Sequence, residues 1–114
     1  MEQKIIISGS KVVPERLKPI RFDGKRYEQV INGLYFDLSQ RTGLMAIYDE
    51  TSNERLAIIS IYDEPRNPII EEDVQDVFFI RFELNEAKRE ILIENERHKH
   101  FIYNIDSGTV RAEK

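Results

Sequence analysis

The two histidines of the chain, His98 and His100, lie in the polar stretch 95–100. In an extended segment they project to the same side, where two imidazoles can contribute to a metal site. The neighbouring Arg97 and Lys99 oppose a cation electrostatically, and the spacing supplies no third ligand. The same residue types suit general acid–base cleavage of a phosphodiester, but histidines this close in sequence do not flank a scissile bond. We therefore predict a solvated hairpin loop here, with no metal bound.

Other catalytic and cofactor chemistries lack their residues. The chain has no cysteine, which excludes thiolate catalysis, disulfides and cysteine-based zinc sites. Its serines stand outside any nucleophile-elbow motif, and its five glycines are scattered singly, so neither a phosphate-binding loop nor a dinucleotide fingerprint is present. We predict that the protein is not an enzyme and carries no cofactor, with no catalytic, cofactor-binding or metal-binding residue.

Acidic side chains are concentrated in residues 63–76, where six carboxylates are offset only by Arg66. They lack the regular spacing and central glycine of a calcium-binding EF-hand loop. Clustered carboxylates on a loop can steer a basic protein partner into contact, although such a loop can also be acidic merely to stay soluble. With the preceding tyrosine, the predicted partner-binding residues are Tyr62, Asp63, Glu64, Glu71, Glu72, Asp73 and Asp76.

The elements that must position these residues are strands joined by turns. Asn32-Gly33 separates the apolar arms 27–31 and 34–38, and Asn-Gly readily adopts the positive φ angles of a two-residue type I′ turn. We predict a hairpin at this point. Asp23-Gly24 predicts a further small hairpin before it.

Two later apolar runs carry predictions about burial. Residues 56–62 are largely apolar on both alternating faces, which predicts a central strand covered on both sides. Prolines then interrupt the pattern, so 63–76 is predicted as an irregular connection with at most a short helical turn near 69–76. Strand 77–84 follows, and its alternation predicts a core face made of Phe78, Ile80, Phe82 and Leu84.

Taken together, these signals predict one all-β domain over residues 1–114. The pattern is an antiparallel meander of about seven to nine short strands, and sheets with this much apolar surface need a covering layer. The meander would form a curled sheet that closes either as a barrel-like structure or as a two-layer sandwich. No sustained 3.6-residue periodicity indicates a longer helix.

Charge and length limit the class of function. The net charge is −4, and residues 37–86 hold twelve acidic against four basic residues, so broad attraction to nucleic acid or anionic lipid is disfavoured. No apolar run approaches a signal peptide or a membrane span, and we expect a cytoplasmic protein. The predicted function is a small acidic protein-binding domain, most specifically a bacterial toxin-neutralising immunity protein that occludes a basic partner such as a nuclease toxin. The alternative is a β-barrel that binds or carries a small ligand.

Overall fold

Alternating apolar and polar residues build extended segments along most of the chain. In the computed structural model, which describes residues 17–38, 40–63 and 76–113, these segments form eight β-strands and one short 3₁₀ helix. The strands are β1 (Ile20–Phe22), β2 (Lys25–Val30), β3 (Leu44–Asp49), β4 (Arg55–Ser60), β5 (Phe79–Asn85), β6 (Glu90–Asn95), β7 (His100–Asn104) and β8 (Thr109–Glu113), and the 3₁₀ helix is Gly33–Phe36.

The strands form two four-stranded antiparallel sheets. Sheet A has the order β1-β2-β3-β4 and sheet B the order β5-β6-β7-β8, so each sheet is a meander of sequential neighbours. The two sheets are not closed into a barrel. The predicted all-β antiparallel class is confirmed, and of the two closures left open by the sequence the architecture matches a two-layer sandwich.

One of two buried apolar clusters in the described residues joins the inner faces of both sheets. Sheet A contributes Tyr27 and Met45, and sheet B contributes Phe79, Ile91 and Ile93, all of which are at most 1% exposed. Burying such side chains contributes roughly 1.5–3 kcal/mol each. The cluster therefore holds the two layers together.

The predicted Asp23-Gly24 hairpin is confirmed. Residues on β1 and β2 pair as Ile20 with Tyr27 and Phe22 with Lys25. Asp23 has φ 56° and Gly24 has φ 78°, which are the two positive angles that a type I′ turn requires. The residue types of the turn were therefore sufficient to predict this hairpin.

The predicted Asn32-Gly33 hairpin is wrong. Asn32 is extended, with φ −153°, and its side chain accepts a hydrogen bond from the backbone N–H of Leu34, which starts a 3₁₀ helix instead of a strand. Gly33 is needed for close packing rather than for a positive φ, since an added Cβ would collide with the carbonyl oxygen of Gln40 and approach Leu44 Cδ1 to 2.6 Å. Strand β2 consequently pairs with β3.

The prediction of a central strand at 56–62 is also wrong for the part of the chain that the structure describes. Strand β4 lies at the edge of sheet A, next to β3 only. A register shift between Ile47 and Tyr48 leaves Leu56 without a cross-strand partner, and this side chain is 48% exposed. An extra residue of this kind is a β-bulge, which bends the strand.

The predicted core face of 77–84 is corrected by a second bulge. Phe79 pairs with Asn95 and Arg81 with Glu94, so Ile80 is the extra residue. It points outward and is 40% exposed, whereas Phe79 is 1% exposed and belongs to the core with Phe82. Strict alternation misassigned Ile80 and Phe79 because the bulge shifts the register by one residue.

Some predicted elements lie outside the described residues. Nearly all of the helical turn predicted near 69–76 is one of them. The sequence 5–8 also predicts a strand, which residues 12–13 either extend or follow with another strand, and these residues lie outside the described ranges as well. Within the described ranges, no helix is both long enough and apolar enough to cross a bilayer.

Candidate functional site

The acidic segment singled out in the sequence has two described ends, and they differ sharply in burial. Asp63 is exposed. Asp76 is 3% exposed. Its carboxylate accepts hydrogen bonds from Nε and from a terminal nitrogen of Arg41, at 3.0 and 2.9 Å. Asp76 therefore supports the fold from the interior. Glu64, Glu71, Glu72 and Asp73 lie outside the described residues.

Tyr62 connects the two sheets at this end of the sandwich. Its hydroxyl donates to the carbonyl oxygen of Val77 at 2.6 Å. Its ring stacks on Phe101 with centroids 5.1 Å apart and contacts Phe79 at 6.0 Å. The side chain is half-buried: it packs against sheet B, and the rest of it remains accessible to solvent.

The outer face of sheet B carries a second group of carboxylates that the sequence did not single out. Cross-strand partners share one face of a sheet, and alternate residues along each strand return to that face. Three rows of partners follow from the observed register. They are Arg81, Glu94, His100 and Glu113; then Glu83, Leu92, Ile102 and Arg111; then Asn85, Glu90, Asn104 and Thr109.

An apolar pair occupies the middle row of this face. Leu92 and Ile102 are direct cross-strand partners. Beside them lies a depression of about 130 Å³, whose lining includes Arg81, His100 and Glu113. An apolar centre with a charged rim is the usual anatomy of a protein interface.

Two carboxylates of the face are partly engaged by neighbouring arginines. Arg81 contacts Glu83 at 3.1 Å, and both side chains are about half exposed. Arg111 contacts Glu90 at 3.2 Å, and Glu90 is the more buried of that pair. The exposed Arg81–Glu83 pair is weak and can exchange with a partner's charges, whereas Glu90 is only 8% exposed.

Glu94 brings the two histidines together. Nδ1 of His98 lies 2.8 Å from one carboxylate oxygen of Glu94, and Nε2 of His100 lies 3.5 Å from the other. The hydrogen bond from His98 is the main factor that lowers the pKa of the Glu94 carboxyl. Partial desolvation acts in the opposite direction, and the charges of His100, His98 and Arg81 lower the pKa further. The imidazoles are exposed, as a solvated loop predicts, but they share one acidic neighbour.

This cluster does not make a metal site. Across residues 17–38, 40–63 and 76–113, no group of three or more His, Asp or Glu side chains has a geometry that would hold a metal ion. Sequence reasoning missed Glu94 because it lies at the end of the preceding strand. The available signal was the hairpin 91–105, whose register places Glu94 opposite His100.

The outer face of sheet A offers a different surface. A groove of about 320 Å³ runs between Phe36 and Tyr48 over Ala46. Both aromatic rings already carry a guanidinium, since Arg55 lies 4.7 Å from the Phe36 centroid and Arg26 lies 4.7 Å from that of Tyr48. Arg26 also reaches Glu28 at 2.6 Å and Glu50 at 3.1 Å. Arg26 and Arg55 are therefore already engaged by groups of the same molecule on this face.

Comparison with known proteins provides no family assignment: no family model, no curated protein and no solved structure matches the chain.

Proposed function

We propose that the chain is a non-enzymatic protein-binding domain that holds a basic partner against the outer face of sheet B. The observation that carries this proposal is the apolar pair of the half-buried Leu92 and the 6% exposed Ile102, framed by four glutamates on the outer face of sheet B. Apolar contact supplies affinity at the centre of such a surface, while the surrounding charges select the partner and speed the encounter.

The proposed contact is a lysine or arginine side chain of the partner. Its aliphatic stem would lie on Leu92 and Ile102, and its charged head would reach Glu94 or Glu113 at the rim. Long basic side chains commonly divide in this way between apolar and charged surroundings. Glu94 is suited to this contact because its lowered pKa keeps the carboxyl ionised at a lower pH than that of an ordinary glutamate.

The size of the depression favours a side chain over a free ligand. It measures about 130 Å³. Pockets that enclose drug-sized molecules are typically about 300–1,000 Å³. A surface that accepts one or two protruding side chains is what a protein partner requires.

Asp63, the first carboxylate of the predicted acidic segment, lies near the same surface. Asp63 and Ala112 line a common opening at the side of the sandwich, and Ala112 directly precedes Glu113. This proximity supports an acidic surface that continues from sheet B to Asp63. Glu64, Glu71, Glu72 and Asp73 remain predicted contacts of the partner.

The specific form of this proposal is a bacterial toxin-neutralising immunity protein acting in the cytoplasm. A net charge of −4 and a carboxylate-bearing face suit occlusion of a basic protein such as a nuclease toxin. Direct binding of nucleic acid is not proposed, because the same charge repels phosphates.

Affinity capture from the source organism's lysate, at low and at high salt, tests the proposal. We expect salt-sensitive recovery of a basic protein by the native chain, and loss of that recovery with the double variant Glu83→Lys/Glu113→Lys. The matched control is Glu54→Lys/Glu86→Lys, which changes the net charge by the same amount at exposed sites away from this face. Equal recovery by both variants would show that only overall charge matters and would refute the proposed surface.

The predicted acidic segment has its own experiment. The triple variant Glu71→Lys/Glu72→Lys/Asp73→Lys should weaken binding of the recovered partner more than it lowers the free energy of unfolding. Unchanged binding would remove these residues from the interface. For the specific form, co-expression of the recovered protein with the native chain should relieve its toxicity, and a partner that is not toxic excludes an immunity role.

A further inference from the structure

A cavity opens at the end of the sandwich where the turns of both sheets meet. Its volume is about 370 Å³, and its walls come from sheet A, sheet B and three turns. The apolar part of the wall consists of Ile47, Leu56, Ala57 and Ile105, and the polar part consists of Asp23, Lys25, Tyr27, Arg89, Tyr103 and Asp106. Leu56, exposed by the bulge in β4, stands at its rim.

Two buried phenols line this cavity. Tyr27 is 1% exposed and Tyr103 is 5% exposed, and their ring centroids lie 6.3 Å apart. Within the described residues, neither phenol oxygen has a hydrogen-bond partner, although both rings pack in the core. A buried hydroxyl without a partner is costly and uncommon in folded proteins. The two hydroxyls are therefore available to an occupant of the cavity.

The hydroxyls are donors over the whole physiological range. Burial raises the pKa of both phenols, and for Tyr27 the nearby Tyr103 and Asp23 raise it further. Each phenol consequently keeps its proton and can donate to a carbonyl or hydroxyl oxygen. A phenolate that would attract a cation does not form near neutral pH.

The charges at the mouth compensate one another. Arg89 contacts Asp23 at 2.9 Å and Asp106 at 2.8 Å, and it stacks over Phe22 at 5.2 Å. Lys25 balances the remaining negative charge and contributes to lowering the pKa of Asp23, after the larger effect of Arg89. The lining holds two acidic and two basic side chains, so it presents no net charge to a ligand.

From these observations we infer that the cavity binds a small uncharged molecule with an apolar body and a carbonyl or hydroxyl oxygen. The apolar wall accepts the body, and the oxygen accepts hydrogen bonds from Tyr27 and Tyr103. The volume lies within the range of pockets that hold small molecules, about 300–1,000 Å³. No charged group of the ligand is needed, because the lining is already neutral.

This site is separate from the proposed protein-binding surface. The cavity adjoins the end of β7 at Ile105, whereas His100 and its partner Glu113 stand at the opposite end of that strand. The cavity also opens towards the inner faces of the sheets. The two proposals therefore stand or fall independently.

Titrations followed by two-dimensional amide NMR test the inference with three matched probes. Acetophenone has an aromatic body and a carbonyl, ethylbenzene lacks the oxygen, and benzoate carries a charge. We expect acetophenone to shift the amide signals of Tyr27, Ile47, Ala57 and Ile105. Ethylbenzene should bind about a hundredfold more weakly, because it lacks the oxygen that accepts both hydrogen bonds, and benzoate should not bind.

Variants of the phenols give the second measurement. Tyr27→Phe and Tyr103→Phe should each weaken acetophenone binding by about tenfold while leaving the ethylbenzene affinity unchanged. Tyr48→Phe is the control, since Tyr48 lies on the outer face of sheet A. Ala57→Leu, which fills the cavity, should abolish binding of both neutral probes while preserving the dispersed spectrum of the folded protein.

Two results would overturn the inference. One is the absence of amide shifts at the solubility limit of acetophenone, which would leave water as the only partner of the phenols. The other is equal affinity for acetophenone and ethylbenzene, unchanged by Tyr27→Phe and Tyr103→Phe, which would mean that the hydroxyls do not recognise a ligand.

Discussion

At the scale of single residues, burial separates two kinds of charged pair in this protein. Arg41 and Asp76 meet through three hydrogen bonds in a site where Asp76 is 3% exposed. Arg81 and Glu83 meet on the surface, with about half of each side chain exposed. The buried pair supports the fold, whereas the exposed pair is available to a partner.

The first prediction concerns these pairs. Asp76→Ala removes the hydrogen bonds between the buried carboxylate and Arg41 and should lower the free energy of unfolding by about 3 kcal/mol. Glu83→Gln, which breaks the exposed pair, should lower it by less than about 1 kcal/mol. Urea denaturation measures both. Similar values for the two variants would mean that the Asp76 carboxylate is better hydrated than its burial indicates.

The second prediction concerns the Glu94 carboxyl, whose pKa lies below its ordinary value of 4.5 chiefly because of His98. Since folding lowers this pKa, the stability that the ionised carboxylate contributes is present above pH 4.5 and is lost as the pH falls through the folded-state pKa. His98→Ala should raise the pKa of Glu94, measured by carbon-13 NMR of its carboxyl.

Asp49 provides the control for that titration. The pKa of its carboxyl is lowered mainly by the backbone N–H of Ser52 and then by that of Thr51, at a site on sheet A. It should titrate identically in the native chain and in the His98→Ala variant. A shift at Asp49 as large as that at Glu94 would indicate a general change of structure.

At the scale of elements, two bulges decide which side chains enter the core. Leu56 in β4 and Ile80 in β5 are the extra residues, and both are exposed although they are large and apolar. The extra residue Ile80 puts Phe79 and Phe82 three positions apart instead of two, so both face inward. Leu56 in turn forms the rim of the end cavity.

The third prediction follows from the bulge in β5. Ile80→Thr should lower the free energy of unfolding by less than about 1 kcal/mol, because the side chain is already exposed to solvent. Phe79→Ala should lower it by about 3–5 kcal/mol, because it empties a large core position. Thermal or urea denaturation compares the two. A larger loss of stability for Ile80→Thr than for Phe79→Ala would support the strictly alternating arrangement of residues 77–84, in which Ile80 faces the core and Phe79 does not.

At the scale of the whole molecule, the two sheets share one core. Tyr27 of sheet A meets Tyr103 of sheet B, and Tyr62 meets both Phe79 and Phe101. At the opposite end from Tyr62, Arg89 ties the β5–β6 turn to the β1–β2 and β7–β8 turns. In the described residues, the inner faces of the two sheets contribute to one cluster.

The fourth prediction is cooperative unfolding. Because the inner faces of the sheets form one cluster, secondary structure and tyrosine packing should be lost together in a single transition. Far-ultraviolet circular dichroism and tyrosine fluorescence should give the same urea midpoint. Separate midpoints would mean that one sheet survives without the other.

The sequence by itself determined the all-β class and the hairpins whose turns depend on local conformation. Asp23-Gly24 is an example, since its two positive φ angles follow from the residues alone. Alternation also predicted a strand at 77–84, the first strand of sheet B, although it did not indicate that Glu94 would join the two histidines. Residues near in sequence carried enough physical information for these features.

Only the tertiary structure decided the features that depend on contacts between distant residues. Asn32-Gly33 starts a 3₁₀ helix because Gly33 packs closely on Gln40 and Leu44, and no turn propensity encodes that contact. Asp76 lies inside because Arg41, far away in the chain, meets it there. The same holds for the cavity between Tyr27 and Tyr103, which exists only once two separate sheets face each other.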